Sequence, residues 1–175
     1  MESFESMLTG GHPNSLGKTV EVVELVLADS SRVEELYQCY FSQDEVVRLR
    51  TSNAMKRLWR DQPDLIVPYI DRFIAQVSQI EQASAQWTLA QLFNELDAHL
   101  SIEQRQEATT ILKRNLTQTN DWIVINNTLE TLGKWATDNP ALKNWLKPHV
   151  ERFSGDSRKS IAKKSSKLAK TLYGA

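Results

Sequence analysis

Lys159, Lys163, Lys167 and Lys170 recur at i, i+4, i+8 and i+11. On a helix that spacing gathers four ammonium groups on one face, opposite Ile161, Leu168 and Leu172. Such a face suits an acidic protein surface or a phosphate backbone. It equally suits water, which the outermost helix of a stacked array must meet. No aromatic residue interleaves these lysines, which argues against stacking of single-stranded bases. Further polar groups lie opposite apolar helical stripes: Arg72 and Gln76, then Gln106, Thr110 and Lys113, then Lys143, Asn144 and Lys147. Arg72, Lys113, Lys143, Lys147, Lys163 and Lys167 are therefore the residues expected to touch a partner. Little else converges. His12, His99 and His149 have no second ligand at i+3 or i+4, so no metal site is expected. Cys39 flanks an apolar stripe and reads as a small core residue, and Gly10-Gly11 is a lone pair rather than a phosphate-cradling loop. No catalytic residue and no cofactor is expected.

Composition sets the frame for these groups. The chain has 175 residues, 41% hydrophobic and 25% charged, enough for one domain with a real core and too apolar for wholesale disorder. One cysteine excludes an intramolecular disulfide, so packing must supply the stability. The start, Met1-Glu2-Ser3-Phe4-Glu5, is acidic and does not read as a secretory signal. No apolar run approaches a bilayer's thickness, so no membrane partner and a cytoplasmic location are expected. The net charge of −1 conceals a polarity. Residues 1–45 carry nine acids against Lys18 and Arg32, whereas residues 147–170 carry eight Lys/Arg against Glu151 and Asp156. The balance disfavours a dedicated nucleic-acid binder and leaves room for a local one.

The elements that must position these residues read as helix after helix from Asn14 onward, behind a periodicity-free flexible tail over 1–13. Expected helices cover about 15–28, 31–41, 44–60, 63–79, 81–98, 102–117, 120–137, 140–153 and 156–173. Val33, Leu36, Tyr37, Tyr40 and Phe41 form one stripe; Ile66, Tyr69, Ile70, Phe73, Ile74 and Val77 form the strongest. Asp44 reads as a helix cap, Ser101-Ile102-Glu103-Gln104 as a capping box, and Pro140 as a first-turn proline. Pro68 should delay or bend the fourth helix, and Pro148 should kink the eighth. Leu58, Phe73, Leu92, Leu132 and Trp145 sit mid-stripe and are the expected inter-helix core. No segment alternates with a period of two.

The helix openings repeat. Asp44-Glu45-Val46-Val47-Arg48 returns in kind at Asp121-Trp122-Ile123-Val124 and at Asp156-Ser157-Arg158, a period of roughly 38 residues that marks stacked helical pairs. Arg60-Asp61-Gln62-Pro63 and Thr137-Asp138-Asn139-Pro140 repeat as helix ends. Over residues 14–173 this pattern resembles the HEAT repeats of the armadillo-type superhelix. The resemblance implies an all-α, right-handed α-α superhelix of about four and a half antiparallel helix pairs, with 14–175 as one repeat domain. It also implies that Asp44 caps a helix while Arg48 bridges to the neighbouring repeat. Gln82-Ala83-Ser84-Ala85-Gln86 departs from the pattern where Asp and Arg belong.

What the resemblance implies for function is a scaffolding module that holds a protein partner, here an acidic one, on a concave surface built from the second helix of each pair. The opposed charges of the two ends also allow a monomer or weak head-to-tail self-association. The alternative is a DNA-binding relative of the HEAT-like alkylpurine DNA glycosylases, which carry a Trp and, four residues on, a catalytic Asp. Trp122 and Asn126 have that spacing, but an amide neither stabilises a cationic sugar centre nor acts as a base. Trp122 is expected to be a core wedge, and the chain to be no enzyme.

Overall fold

Short polar signals start the helices. Asp44 Oδ1 accepts from the Val46 N–H at 2.8 Å, and Asp121 Oδ1 from Ile123 and Val124 at 2.9 and 3.0 Å. Ser101 and Gln104 close a reciprocal capping box, and Asn139 caps a helix whose first residue is Pro140. Each satisfies backbone donors that the first turn leaves orphaned. The computed structural model describes residues 2–175 and contains no strand among them. Its ten helices are α1 (Phe4–Leu8), α2 (Thr19–Ala28), α3 (Val33–Gln38), α4 (Glu45–Asp61), α5 (Ile70–Ala75), α6 (Ala83–Glu95), α7 (Ile102–Gln118), α8 (Trp122–Ala136), α9 (Pro140–Ser154) and α10 (Lys159–Tyr173).

The helices pack in two rows. In one, α2, α4, α6, α8 and α10 each contact the next. In the other, Arg72 on α5 pairs with Glu34 on α3, Gln104 on α7 donates to Asp71 on α5, and Lys113 on α7 lies over Trp145 on α9. The long-range hydrogen bonds report the same spacing as the sequence recurrence. Their partners lie 34 residues apart at Arg48–Gln82, 36 at Trp59–Glu95, 38 at Trp135–Asp97 and 41 at Thr131–Ala90. Arg48 therefore bridges to the start of the next pair, and Gln82, in the departing repeat, takes that bond and returns one to the Glu45 carbonyl.

Between the rows lies a continuous core. Leu58, Phe73, Leu92 and Leu132 are fully buried, each worth roughly 1.5–3 kcal/mol of transfer free energy. Tyr37, Tyr40 and Phe73 meet edge to face, with both tyrosine rings 5.6 Å from Phe73.

Several expectations need correction. Trp145 packs against the core but is only partly buried, because it sits on a flank of α9. Phe41 is exposed: a 3-10 turn over Cys39–Phe41 ends the α3 stripe and rotates the ring outward. Helix α5 is much shorter than 63–79, since Pro63 starts one 3-10 turn, Pro68 is the second residue of another, and both lack a backbone donor. Asp156 does not open α10; its carboxylate turns back to accept from the Arg158 N–H, and the helix begins at Lys159.

The largest correction concerns residues 1–13. Instead of a free tail, α1 buries Phe4, Met7 and Leu8. Behind it the chain wraps a fully buried guanidinium. Arg50 donates to the carbonyls of Leu8 at 2.7 Å, Gly10 at 2.6 Å and Ser15 at 3.1 Å, with longer bonds to Thr9 and His12. Gly17 closes the loop with φ +51°, where an added Cβ would lie 2.9 Å from the Arg50 Cζ.

Candidate partner-binding surface

Helix α9 turns Leu142, Leu146, Val150 and Phe153 inward, which places its cations and aromatics on the two flanks of that stripe. On one flank Lys143 and Lys147 reach the Tyr173 ring of α10, their ammonium groups 5.9 and 5.8 Å from its centroid. The Tyr173 hydroxyl donates to the Lys143 carbonyl at 2.7 Å and fixes the ring. Burial, helped by Glu151, raises its phenol above the ordinary value, so it stays neutral. On the other flank Trp145 lies under Lys113, 4.9 Å from the ring centroid, and against the His149 ring at 4.3 Å. Burial, with Arg152 nearby, lowers His149 below 6.5, so the imidazole is uncharged at neutral pH. A cation over an aromatic face gains about 0.5–1 kcal/mol at exposed sites while keeping its charge available to a ligand.

Ion pairing separates the expected residues sharply. Among the described residues Lys113, Lys143, Lys147, Lys163 and Lys167 have no carboxylate within ion-pair distance. Arg72 does: it lies 2.6 Å from Glu34 and stacks over Tyr37 at 4.1 Å. The Arg72 guanidinium, aided by Gln38, pulls the Glu34 carboxyl down to about 2. Arg72 is thus a tie between α3 and α5, and it leaves the set of free cations.

The remaining five form two groups instead of one stripe. Lys113 lies over Trp145 of α9, and Lys143 and Lys147 lie over Tyr173 of α10. Lys163 and Lys167 project from the exposed face of α10, where Lys167 joins Lys134 and Lys164 along a groove of about 260 Å³ against α8. Within it Lys164 is neutralised by Glu130 at 2.5 Å and Lys134 by Asp97 at 3.1 Å. Gly133 forms the floor and admits Leu168, whose Cδ2 would stand 2.5 Å from an added Cβ.

Trp122 is not a core wedge. It occupies the first position of α8 and is 52% exposed, since the inward face of that helix begins only at Val124 and Ile125. One turn on, Asn126 Nδ2 donates to Ser160 Oγ at 3.1 Å, which directs the amide toward α10. Cys39 is buried as expected, and burial pushes its thiol up to about 12. No group of three or more His, Cys, Asp or Glu among the described residues is placed to hold a metal ion, and no described helix is long and apolar enough to cross a membrane.

The aromatic half of the surface escaped sequence reasoning. Trp145 reads as core because it falls at stripe spacing. No signal in the repeat period could have found the pairing, since Lys113 stands 32 residues before Trp145 and Lys143 stands 30 before Tyr173, both short of one repeat. Comparison with family profiles, with curated proteins and with solved structures found no match.

Proposed function

We propose that this protein is a non-catalytic binding module: a short, HEAT-like right-handed superhelix whose basic C-terminal end receives an acidic protein surface. The observation that carries the reading is that five of the six expected residues are lysines without a carboxylate partner, three of them held over α9 and α10 aromatics. Unpaired cations on a preformed aromatic platform offer charge-assisted hydrogen bonds to carboxylates at low ordering cost. The two-row packing and the 34- to 41-residue ladder of bonds support the HEAT-like architecture. Identification of a partner by affinity capture, followed by the paired reversal Lys143→Glu and Lys147→Glu, tests the reading. Binding should fall by more than tenfold with the fold intact; unchanged affinity would reject this surface.

The exposure of Trp122 favours a second reading, a DNA-binding relative of the HEAT-like alkylpurine DNA glycosylases that lacks the catalytic carboxylate. An exposed indole at a helix start can stack on a base. A mobility shift with alkylated duplex that Trp122→Ala abolishes, with no release of methylated base, is the outcome this reading requires.

A further inference from the structure

Helix α9 carries a proline in its interior, and Pro148 has no N–H to return to the carbonyl of Asn144, four residues before it. Among the described residues no backbone N–H from outside the helix reaches that carbonyl either. Asn144 and Pro148 are both exposed, so the freed acceptor lies on the solvent side of α9. Pro148 takes no part in the core, so packing does not account for a residue that weakens the helix. One step round the same surface stand Lys143 and Lys147, both without carboxylate partners and both drawn toward the Tyr173 ring. The Tyr173 hydroxyl fixes this edge through its 2.7 Å bond to the Lys143 carbonyl. Two cations and a bare backbone acceptor thus share one patch.

We propose that the acidic partner enters here as an extended segment with carboxylates at alternate positions. Its side chains pair with Lys143 and Lys147 while one main-chain N–H donates to the Asn144 carbonyl. Residues four apart on a helix are displaced by about 6 Å along its axis. Alternate side chains of an extended chain leave one face roughly 7 Å apart. A Glu-x-Glu segment lying along α9 therefore meets both ammonium groups at once, and the intervening residue brings its N–H to the adjoining edge. A partner helix spends its backbone donors internally, and a phosphodiester backbone has none, so neither answers the bare carbonyl. Glu151, one turn beyond Lys147, repels a third carboxylate and limits the segment to two. The carboxylate pairing rests on the acidic-partner reading; the main-chain bond is an addition to it and is tested apart from it.

The probe is the acetylated and amidated peptide Ser-Glu-Ser-Glu-Ser, titrated into the full-length protein at low salt while the backbone amide resonances of residues 143–149 are followed. Saturable shifts are expected, weakened about tenfold when glutamine replaces both glutamates. N-methylation of the central serine removes the donor and should weaken binding about threefold. In Pro148→Ala the new N–H at position 148 takes the Asn144 carbonyl. That variant should raise Tm, bind the plain peptide about threefold more weakly, and no longer distinguish it from the N-methylated one. Undiminished binding to Pro148→Ala, an N-methyl effect of equal size in both proteins, or no binding of the peptide overturns the proposal. Should Pro148→Ala fail to fold, the two peptides decide on the unaltered protein, where equal affinity overturns it. The two readings fail separately. A captured partner that ignores Lys143→Glu with Lys147→Glu rejects the lysine surface. One that is lost by that reversal, yet binds Pro148→Ala as tightly as the unaltered protein, keeps the surface and rejects the main-chain bond.

Discussion

Arg50 carries the sharpest consequence at the scale of single residues. A buried guanidinium with no carboxylate among its partners is tolerable only because backbone carbonyls surround it, and those carbonyls belong to residues 8–15. Arg50→Met should cost about 2–4 kcal/mol and expose the 8–17 segment to protease, as urea denaturation and limited proteolysis would show. Core truncations form a graded series. Leu58→Ala, Phe73→Ala and Leu92→Ala, at fully buried positions, should each cost about 2–5 kcal/mol. Trp145→Ala should cost less, because part of that ring already faces water. Cys39, with its thiol raised to about 12, should resist iodoacetamide at pH 8 until the protein is unfolded.

At the scale of elements, the α3–α5 tie is the pH-sensitive joint. Glu34 has its pKa depressed from 4.5 to about 2, chiefly by the Arg72 hydrogen bonds. A carboxylate whose folded pKa lies below its unfolded value contributes stability that is fully present above about 4.5. That contribution is lost as the pH falls through about 2. Glu34→Gln should therefore flatten the decline of stability between pH 5 and pH 2 in an acid titration followed by circular dichroism. The effect should be modest, because water screens this half-exposed pair. Helix starts are a separate case. Asp121→Ala removes the acceptor for two α8 N–H groups and should cost about 1 kcal/mol, measurable as a shift in urea midpoint.

At the scale of the molecule, charge is segregated along the chain. Residues 1–45 carry a net −7 and residues 147–170 a net +6, while the rows of helices begin with α2 and end with α10. A field of that kind speeds association with an acidic partner, and the rate should fall as salt approaches the concentration where the Debye length is about 8 Å. The alternative outcome of the same charges is weak head-to-tail self-association, between Glu21 and Glu24 on the exposed face of α2 and the α10 lysines of another copy. Light scattering at low and high salt separates the two. A salt-independent monomer with salt-sensitive partner binding is the expected result.

The sequence by itself determined the all-helical class, most helix starts and the period of the stacking. These follow from local rules: Asp44, Ser101, Asp121 and Asn139 cap their own helices, and stripes at helical spacing bury whatever lies beneath them. It also placed the α9 and α10 lysines opposite apolar stripes, a relation that is itself local. Tertiary structure decided what depends on neighbours about one repeat away. Arg72 and Lys113 looked alike in sequence, yet Glu34 neutralises the first while the second finds an indole. Trp122 and Trp145 both looked like core, but Trp122 precedes the inward face of α8 and Trp145 sits on a flank of α9. Arg50 sat unnoticed because its partners are backbone carbonyls, which every residue possesses and which only the fold brings together.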